Sequence, residues 1–430
     1  MNAGLRKVRE DLRQRFDVYR AKRARSKSNA TFIGITGSSG KSTVTALLGH
    51  ILEGHGAVRT QILFHSLKML SKMLCRQIGG VDYVVVETSA SGIDSIKPMA
   101  DLLRPDVAVV TMVRLEHFKA FRTLENVARE KRALVDALQL GGFAILNADD
   151  PHVVEMASAT THRAVTFGMS EQADYRVTNV HAAYPHRLTL AIHWRGGELE
   201  LKTPFPGEHF WLPTAAAASA ALELGVPPEK VAARVATFRP LANRCEMLVT
   251  EGGPQFIVDA AKSPWHSVDL AFEMMAKATT KPKRIVLGQI SDYAGSTRKY
   301  HYAYKTAREI AAQVIYVGDN AHRSGAGQED RDAGRFHELR MPKEVSDHIK
   351  RTAVAGELIL LKSSSRLHLE RIALAWKHDV KCWIPICGKR EGCDTCGLFE
   401  VPFEGHRDYV RKRRHDKRWR RFRRLLGGRS

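Results

Sequence analysis

The chain has 430 residues, 44% of them apolar and 26% charged: too long for one hydrophobic core, and not the composition of a disordered chain. Its formal charge of +21 is concentrated at the ends. Residues 1–30 hold ten Lys/Arg against three acids and residues 405–430 twelve against two, which leaves about +4 for the middle and argues against a broad duplex-binding surface there.

The first 30 residues place Leu5, Val8, Leu12, Phe16 and Tyr19 at helical spacing among arginines, an amphipathic basic arm expected to pack on, or project from, the first domain. Residues 31–35 read as a buried strand, followed by a Gly/Ser loop and an apolar-periodic helix over 42–52. Further buried strands are expected at 83–87, 107–111 and 143–147, with a helix over 124–140, an alternation that implies a largely parallel sheet. Between 175 and 201 short alternating runs suggest an antiparallel pair at the sheet edge. An alanine-rich helix over 214–224 stops at Gly225 before Pro227 and Pro228. Residues 238–244 read as a linker, beyond which strands at 256–259, 284–288, 314–318 and 358–362 form a second α/β pattern.

The expected architecture is therefore α/β. A P-loop central domain with a mostly parallel sheet (31–241) precedes a Rossmann-like C-terminal α/β domain (242–380), with a basic arm (1–30) before them and a cysteine-containing segment and basic tail (381–430) after. No run is long and apolar enough for a membrane-spanning helix, and the start lacks a signal-peptide core, so the protein is expected to be cytoplasmic.

The loop Gly34-Ile-Thr-Gly-Ser-Ser-Gly-Lys-Ser-Thr43 carries the first functional signal. Nucleotide phosphates need inward backbone N–H groups, a lysine for their charge and a hydroxyl for Mg²⁺. Thr36, Gly37, Ser38, Ser39, Gly40, Lys41, Ser42 and Thr43 supply them between a strand and a helix. The general Walker pattern expects a glycine where Ile35 stands, so a Gly/Ser turn with an incidental lysine is the plainer alternative.

This shorter loop resembles that of the Mur ligases. The segments Arg104-Pro-Asp-Val-Ala-Val-Val-Thr-Met-Val-Arg-Leu-Glu-His117, Phe121 to Lys131 and Ile145-Leu-Asn-Ala-Asp-Asp-Pro151 are similar to that family in the same order. So are Asn243-Arg-Cys-Glu246, Asp259-Ala-Ala-Lys-Ser-Pro264, Val286 to His301, and Leu361 to Glu370. The pattern resembles most the branch that adds D-alanyl-D-alanine to a UDP-N-acetylmuramoyl-tripeptide, over residues 31–375. The resemblance implies an ATP-dependent ligase that joins a carboxylate acceptor to an amino acid or peptide through an acyl phosphate, releasing ADP and phosphate. It implies ATP and Mg²⁺ as cofactors, Lys41 on the β/γ-phosphates, Ser42 and Glu87 on one Mg²⁺, and His117 on a second. Lys131 corresponds to a lysine that is carbamylated in several members and then serves as an anionic metal partner; it reads otherwise as an exposed helix lysine. Asn147, Arg244 and Asp259 are implied at the nucleotide, and Lys262 at phosphate and incoming amine. Domain closure would then complete the site, whereas a surface ion pair across the cleft is the alternative for the second-domain residues.

Three departures qualify this. The uridine-nucleotide-binding domain that the family carries before the loop is expected to be missing, since only the thirty-residue basic arm stands before Thr31. Met112 and Phe210 stand where the family has asparagines, so adenine is expected to stack on Phe210 or Trp211 unless these are core. Ala260-Ala-Lys-Ser263 replaces the substrate-side Tyr and Asn, leaving the amine open.

Near the end, Cys382, Cys387, Cys393 and Cys396 could hold Zn²⁺, or remain reduced, or form a redox pair at Cys393/Cys396. The tail from Arg411 to Arg424 mixes charge with Trp419 and Phe422, as for contact with anionic lipid, nucleic acid or an acidic polymer, or as a solvated tail. An anionic or polymeric acceptor would suit such basic ends. The rival to a ligase is a Mur-like P-loop ATPase with a binding or regulatory role, attached through its ends to nucleic acid or membrane.

Overall fold

Short apolar runs rich in β-branched residues make up the central strands, and their burial on both faces explains why they carry no polar alternation. The computed structural model describes residues 3–63, 66–90, 92–115, 118–291, 295–389 and 391–415, in two units, Met1–Pro240 and Leu241–Ser430.

In the first unit the strands are β1 (Thr31–Thr36), β2 (Val58–Gln61), β3 (Tyr83–Glu87), β4 (Val107–Val110), β5 (Phe143–Asn147), β6 (Arg163–Gly168), β7 (Tyr175–Ala183), β8 (His186–Trp194) and β9 (Gly197–Lys202). They form one sheet in the order β2-β3-β1-β4-β5-β6-β7-β8-β9. It is parallel from β2 to β7 and antiparallel across β7, β8 and β9. The expected antiparallel pair is thus a three-stranded meander. The helix expected over 124–140 spans Leu124–Val135.

Register decides what gathers at the carboxyl ends. Ile35 pairs with Glu87, Thr36 with Val110, and Val110 with Leu146. Thr36, Glu87, Thr111 and Asn147 therefore end or follow neighbouring strands on one edge, where open α/β sheets place their ligands.

The basic arm is a helix, Ala3–Ser26, whose end is anchored. Arg25 donates from Nε to Leu103 O at 2.7 Å and from Nη2 to Arg104 O at 2.7 Å, and its guanidinium lies 3.7 Å from the Phe32 ring centroid. Its apolar face is not covered: Val8, Leu12, Phe16 and Tyr19 are all more than half exposed.

The second unit carries β10 (Glu246–Val249), β11 (Gln255–Asp259), β12 (Lys283–Leu287), β13 (Gln313–Val317), β14 (Phe336–Leu339) and β15 (Leu358–Lys362), in the order β10-β11-β15-β12-β13-β14. Only β10 runs antiparallel to its neighbour. Phe256, Val258, Val286, Ile315, Ile359 and Leu361 form its core with Val345, Ile349 and Ile372. No helix of the described residues is long and apolar enough to cross a membrane.

Candidate phosphate-binding site

The loop after β1 turns sharply into the helix Lys41–Leu52. Two glycines permit the turn. Gly37 has φ +141° and Gly40, the residue before the helix, has φ +79°, conformations that L side chains rarely adopt. At Gly37 space is also lacking, since a Cβ would lie 1.9 Å from Thr111 Oγ1.

Hydrogen bonds fix the loop to the strand beside it. Ser38 N donates to Met112 O at 2.8 Å, Ser38 Oγ to Arg114 O at 2.8 Å, and Thr111 Oγ1 to Ser39 O at 2.6 Å. Asn147 supports the far side by donating from Nδ2 to Thr111 O at 2.8 Å. Asp150 accepts from Val113 N and from Arg114 Nη1, both at 2.9 Å, while capping the helix Pro151–Ala159.

Within this frame Lys41 Nζ donates to Gly37 O at 2.5 Å, folding the ammonium over the loop. Ser42 Oγ donates to Glu87 Oε2 at 2.9 Å, and that carboxylate also accepts from Leu63 N at 3.0 Å. Thr36 Oγ1 is buried with no hydrogen-bond partner among the described residues.

These features fit a phosphate and a hard divalent cation. A left-handed glycine at a helix N-terminus, a lysine poised over the loop and an orphan hydroxyl form an anion cradle. The paired hydroxyl and carboxylate oxygens are the donor type that Mg²⁺ prefers.

Other residues singled out in the sequence fall in different surroundings. Lys131 is not an exposed helix lysine: it is completely buried on the helix Leu124–Val135. Its neighbour Glu130 is also buried and accepts from Asp94 N at 2.7 Å, Ser95 Oγ at 3.0 Å and Ile96 N at 2.5 Å. His117 lies outside the described residues.

Phe210 does not offer adenine an open face. It is buried, stacked on Phe205 at 4.3 Å with the rings 1° from parallel, and His209 lies at 4.4 Å. Phe210 is core here, at the start of the alanine-rich helix Trp211–Glu223, which is itself buried almost throughout, whereas Trp211 is partly exposed.

Arg244, Asp259 and Lys262 stand on the second unit. Asp259 is held by Lys362, whose Nζ donates to Oδ2 at 2.5 Å and to Ser267 Oγ at 3.0 Å. This pairing follows from register, since Asp259 and Lys362 are partners on β11 and β15. Lys262 is exposed and Arg244 partly so. The four cysteines of 382–396 also lie on this unit, around one small cavity.

Thr111 and Lys362 are site residues that sequence reasoning did not single out. Each follows or ends a buried strand beside a flagged residue, which is the signal that could have found them.

Comparison with known proteins agrees with this geometry. The Mur ligase middle domain family matches residues 35–222. The chain is 27% identical to a UDP-N-acetylmuramate–L-alanine ligase of Methylocella silvestris over 78% of this chain and 73% of that protein. It is 26% identical to a UDP-N-acetylmuramoyl-tripeptide–D-alanyl-D-alanine ligase of Mycobacterium tuberculosis, over 82% and 74% respectively. Among solved structures it resembles the MurF ligase from Thermotoga maritima in complex with ADP, with a TM-score of 0.74, 18% identity, and coverage of 85% of this chain and 83% of that one.

Proposed function

We propose that the chain, whose residues 35–222 match the Mur ligase middle domain family, is an ATP-dependent ligase forming an amide between a carboxylate acceptor and an amino acid or peptide. The observation that carries the reading is the loop itself, with Lys41 folded over Gly37 and Ser42 bonded to Glu87 at the carboxyl edge of the sheet.

The chemistry is the one that the resemblance to the Mur ligases implies. A carboxylate oxygen of the acceptor attacks the γ-phosphorus of ATP, the bond to the β-phosphate oxygen breaks, and ADP leaves. The amine nitrogen then attacks the acyl carbon, phosphate departs, and the nitrogen loses a proton. Lys41 and the N–H groups of residues 37–42 hold the phosphates, so charge moving onto the β-phosphate meets donors already in place. Ser42 and Glu87 would hold Mg²⁺, which would supply charge neutralisation there. His117, with Lys131 once carbamylated, is assigned to a second cation.

Asn147 serves the nucleotide by fixing the strand end that carries Thr111. Arg244 and Asp259 are assigned to the nucleotide and Lys262 to the incoming amine. Phe210 is assigned to core packing. The relatives' names point to a UDP-muramoyl or muramoyl-peptide carboxylate as the acceptor class, and an anionic acceptor suits the basic ends.

An ATP-to-ADP turnover screen across acids and amines tests this, with Lys41→Ala as control. Turnover should require both an acid and an amine and should fall at least about 10²-fold in the variant. Stimulation only by nucleic acid or lipid vesicles, or full turnover in Lys41→Ala, would refute it.

A further inference from the structure

Residues 382–396 contain little regular structure beyond the single turn Cys393–Cys396, yet they are firmly attached to the second unit. Arg371, 1% exposed, makes the attachment. Its guanidinium donates to Cys382 O at 2.6 Å and Ile384 O at 2.9 Å on the segment, and to Leu367 O at 3.1 Å and His368 O at 3.2 Å on the loop after β15. Four carbonyls on one buried cation fix the segment's path.

That path brings Cys382, Cys387, Cys393 and Cys396 to the wall of one cavity of about 20 Å³, room for little more than one water-sized sphere. None of the four is in a disulfide. Their surroundings are not those of apolar core cysteines. His368 Nε2 lies 3.1 Å from Cys387 Sγ, and Lys389 Nζ donates to Cys396 Sγ at 2.8 Å. The other ring nitrogen of His368 lies 2.9 Å from Glu370 Oε1, which also accepts from Cys393 N at 3.0 Å. His368 and Glu370 are both buried, and His368 is held at φ +50°, a left-handed backbone a non-glycine residue adopts only when its surroundings impose it.

The ligand atoms already within 4.8 Å of one another are those of His368, Glu370 and Cys393, and the other three thiols line the same cavity, so a metal tetrathiolate requires those sulfurs to close in, with N–H donors behind them. Four thiolates around a divalent ion carry a net charge of −2, and in a buried place that charge needs donors aimed at the sulfurs. Lys389 provides one at Cys396 and His368 lies against Cys387, with Glu370 on the other ring nitrogen, while Arg371 directs its donors to the four carbonyls and so fixes the backbone that carries the thiols. Soft sulfur ligands in a closed tetrahedron select zinc, and four protein ligands leave no open position for substrate.

We propose that Cys382, Cys387, Cys393 and Cys396 bind one structural zinc ion, with Lys389 and the His368–Glu370 pair bracing the thiolates. The ion takes the place of four thiol protons and staples residues 382–396 to the second unit. This site is independent of the ligase reading.

The test uses the full-length chain purified from zinc-supplemented cells. Elemental analysis should find about one zinc per chain, and replacement by Co²⁺ should give the visible absorption of a tetrahedral tetrathiolate. Cys387→Ser and Cys393→Ser should each drop below about 0.2 zinc per chain, while Cys75→Ser, outside the cluster, should keep the full complement. Because a cysteine variant can lose metal by misfolding, chelation of the wild-type chain is the second measurement, and it should open residues 381–400 to protease while ATP-to-ADP turnover persists. His368→Ala should retain the tetrathiolate spectrum. A wild-type chain with less than about 0.2 zinc, or a Cys393–Cys396 disulfide in its place, overturns the proposal, as does full zinc in both serine variants or loss of the spectrum in His368→Ala.

Discussion

Replacing Gly37 by alanine should disable nucleotide binding while leaving the fold intact, and the size of the effect can be worked from the loop. A Cβ at residue 37 would lie 1.9 Å from Thr111 Oγ1, 3.1 Å from Thr111 Cβ and 3.2 Å from Met112 N. The threonine must swing away and give up its 2.6 Å bond to Ser39 O, a loss of about 0.5–1.5 kcal/mol. Holding alanine at φ +141° costs a further 1–3 kcal/mol or so. A free loop escapes both by relaxing, so the cost falls on binding, which needs the cradle restored. About 2–4 kcal/mol corresponds to roughly 30- to 700-fold weaker MgATP binding. Titration of the full chain with a fluorescent ATP analogue in Mg²⁺ measures this, and thermal unfolding without nucleotide serves as the control. Thr111→Ala removes the worst overlap but not the backbone strain or the contact with Met112 N. Gly37→Ala/Thr111→Ala should therefore bind better than the two single losses added together, by at least about 0.5 kcal/mol. Binding by Gly37→Ala within about threefold of wild type, or strict additivity in the double variant, would refute the reasoning.

Lys131, buried beside Glu130, is expected to carry a carbamate. Intact mass spectrometry in bicarbonate should show a gain of about 43 daltons that is absent from Lys131→Ala, and no gain in the wild-type chain would remove the assignment. In the second unit, burial pulls the His348 imidazole down to about 4, with His337 and Arg284 close by adding to the shift. Since the unfolded chain protonates near 6.5 and the folded one does not, the stability present above that pH is lost as pH falls from about 6.5 to 4. The full shift corresponds to about 3.4 kcal/mol, which partial exposure reduces to roughly 1–2 kcal/mol. Unfolding free energies from urea titrations at pH 7 and 5 should differ by that amount in wild type and by less in His348→Gln, and equal differences would count against it.

What the sequence disclosed and what it concealed differ in range. The strands at 83–87 and 143–147 are found where they were expected, because a strand buried on both faces is an uninterrupted apolar run. β2, with the sequence Val-Arg-Thr-Gln, and β14, Phe-His-Glu-Leu, were not foreseen, since short, partly polar edge strands resemble loops until a neighbour pairs with them. The phosphate loop was legible because its meaning is local, a glycine-rich turn between strand and helix. The bond from Thr111 to Ser39 and the pair of Lys362 with Asp259 were not, because they join residues 72 and 103 positions apart and exist only through sheet register. Phe210, left open in the sequence between an adenine face and core, is decided by a local contact that only the folded chain makes, the stacking of Phe205 five residues before it.

Register also answers why Glu87 meets Ser42. Strand β3 is Tyr-Val-Val-Val-Glu with only its first residue partly exposed, so no hydrophobic alternation tells one pairing with β1 from the next. A one-residue slip would turn the Glu87 side chain to the other face of the sheet and separate it from the loop. The polar ends prevent that. Thr31 N donates to Asp82 O at 2.8 Å at one end, and at the other Thr88 donates to Ile35 O from its backbone N at 2.8 Å and its hydroxyl at 3.2 Å. Asp82 is itself fixed, its carboxylate accepting from Ala57 N at 2.8 Å. The carboxylate that faces Ser42 is therefore aimed by hydrogen bonds at both ends of an apolar strand. By this account Thr88→Val, which removes the hydroxyl and keeps the shape, would act on the Ser42–Glu87 pair without touching it.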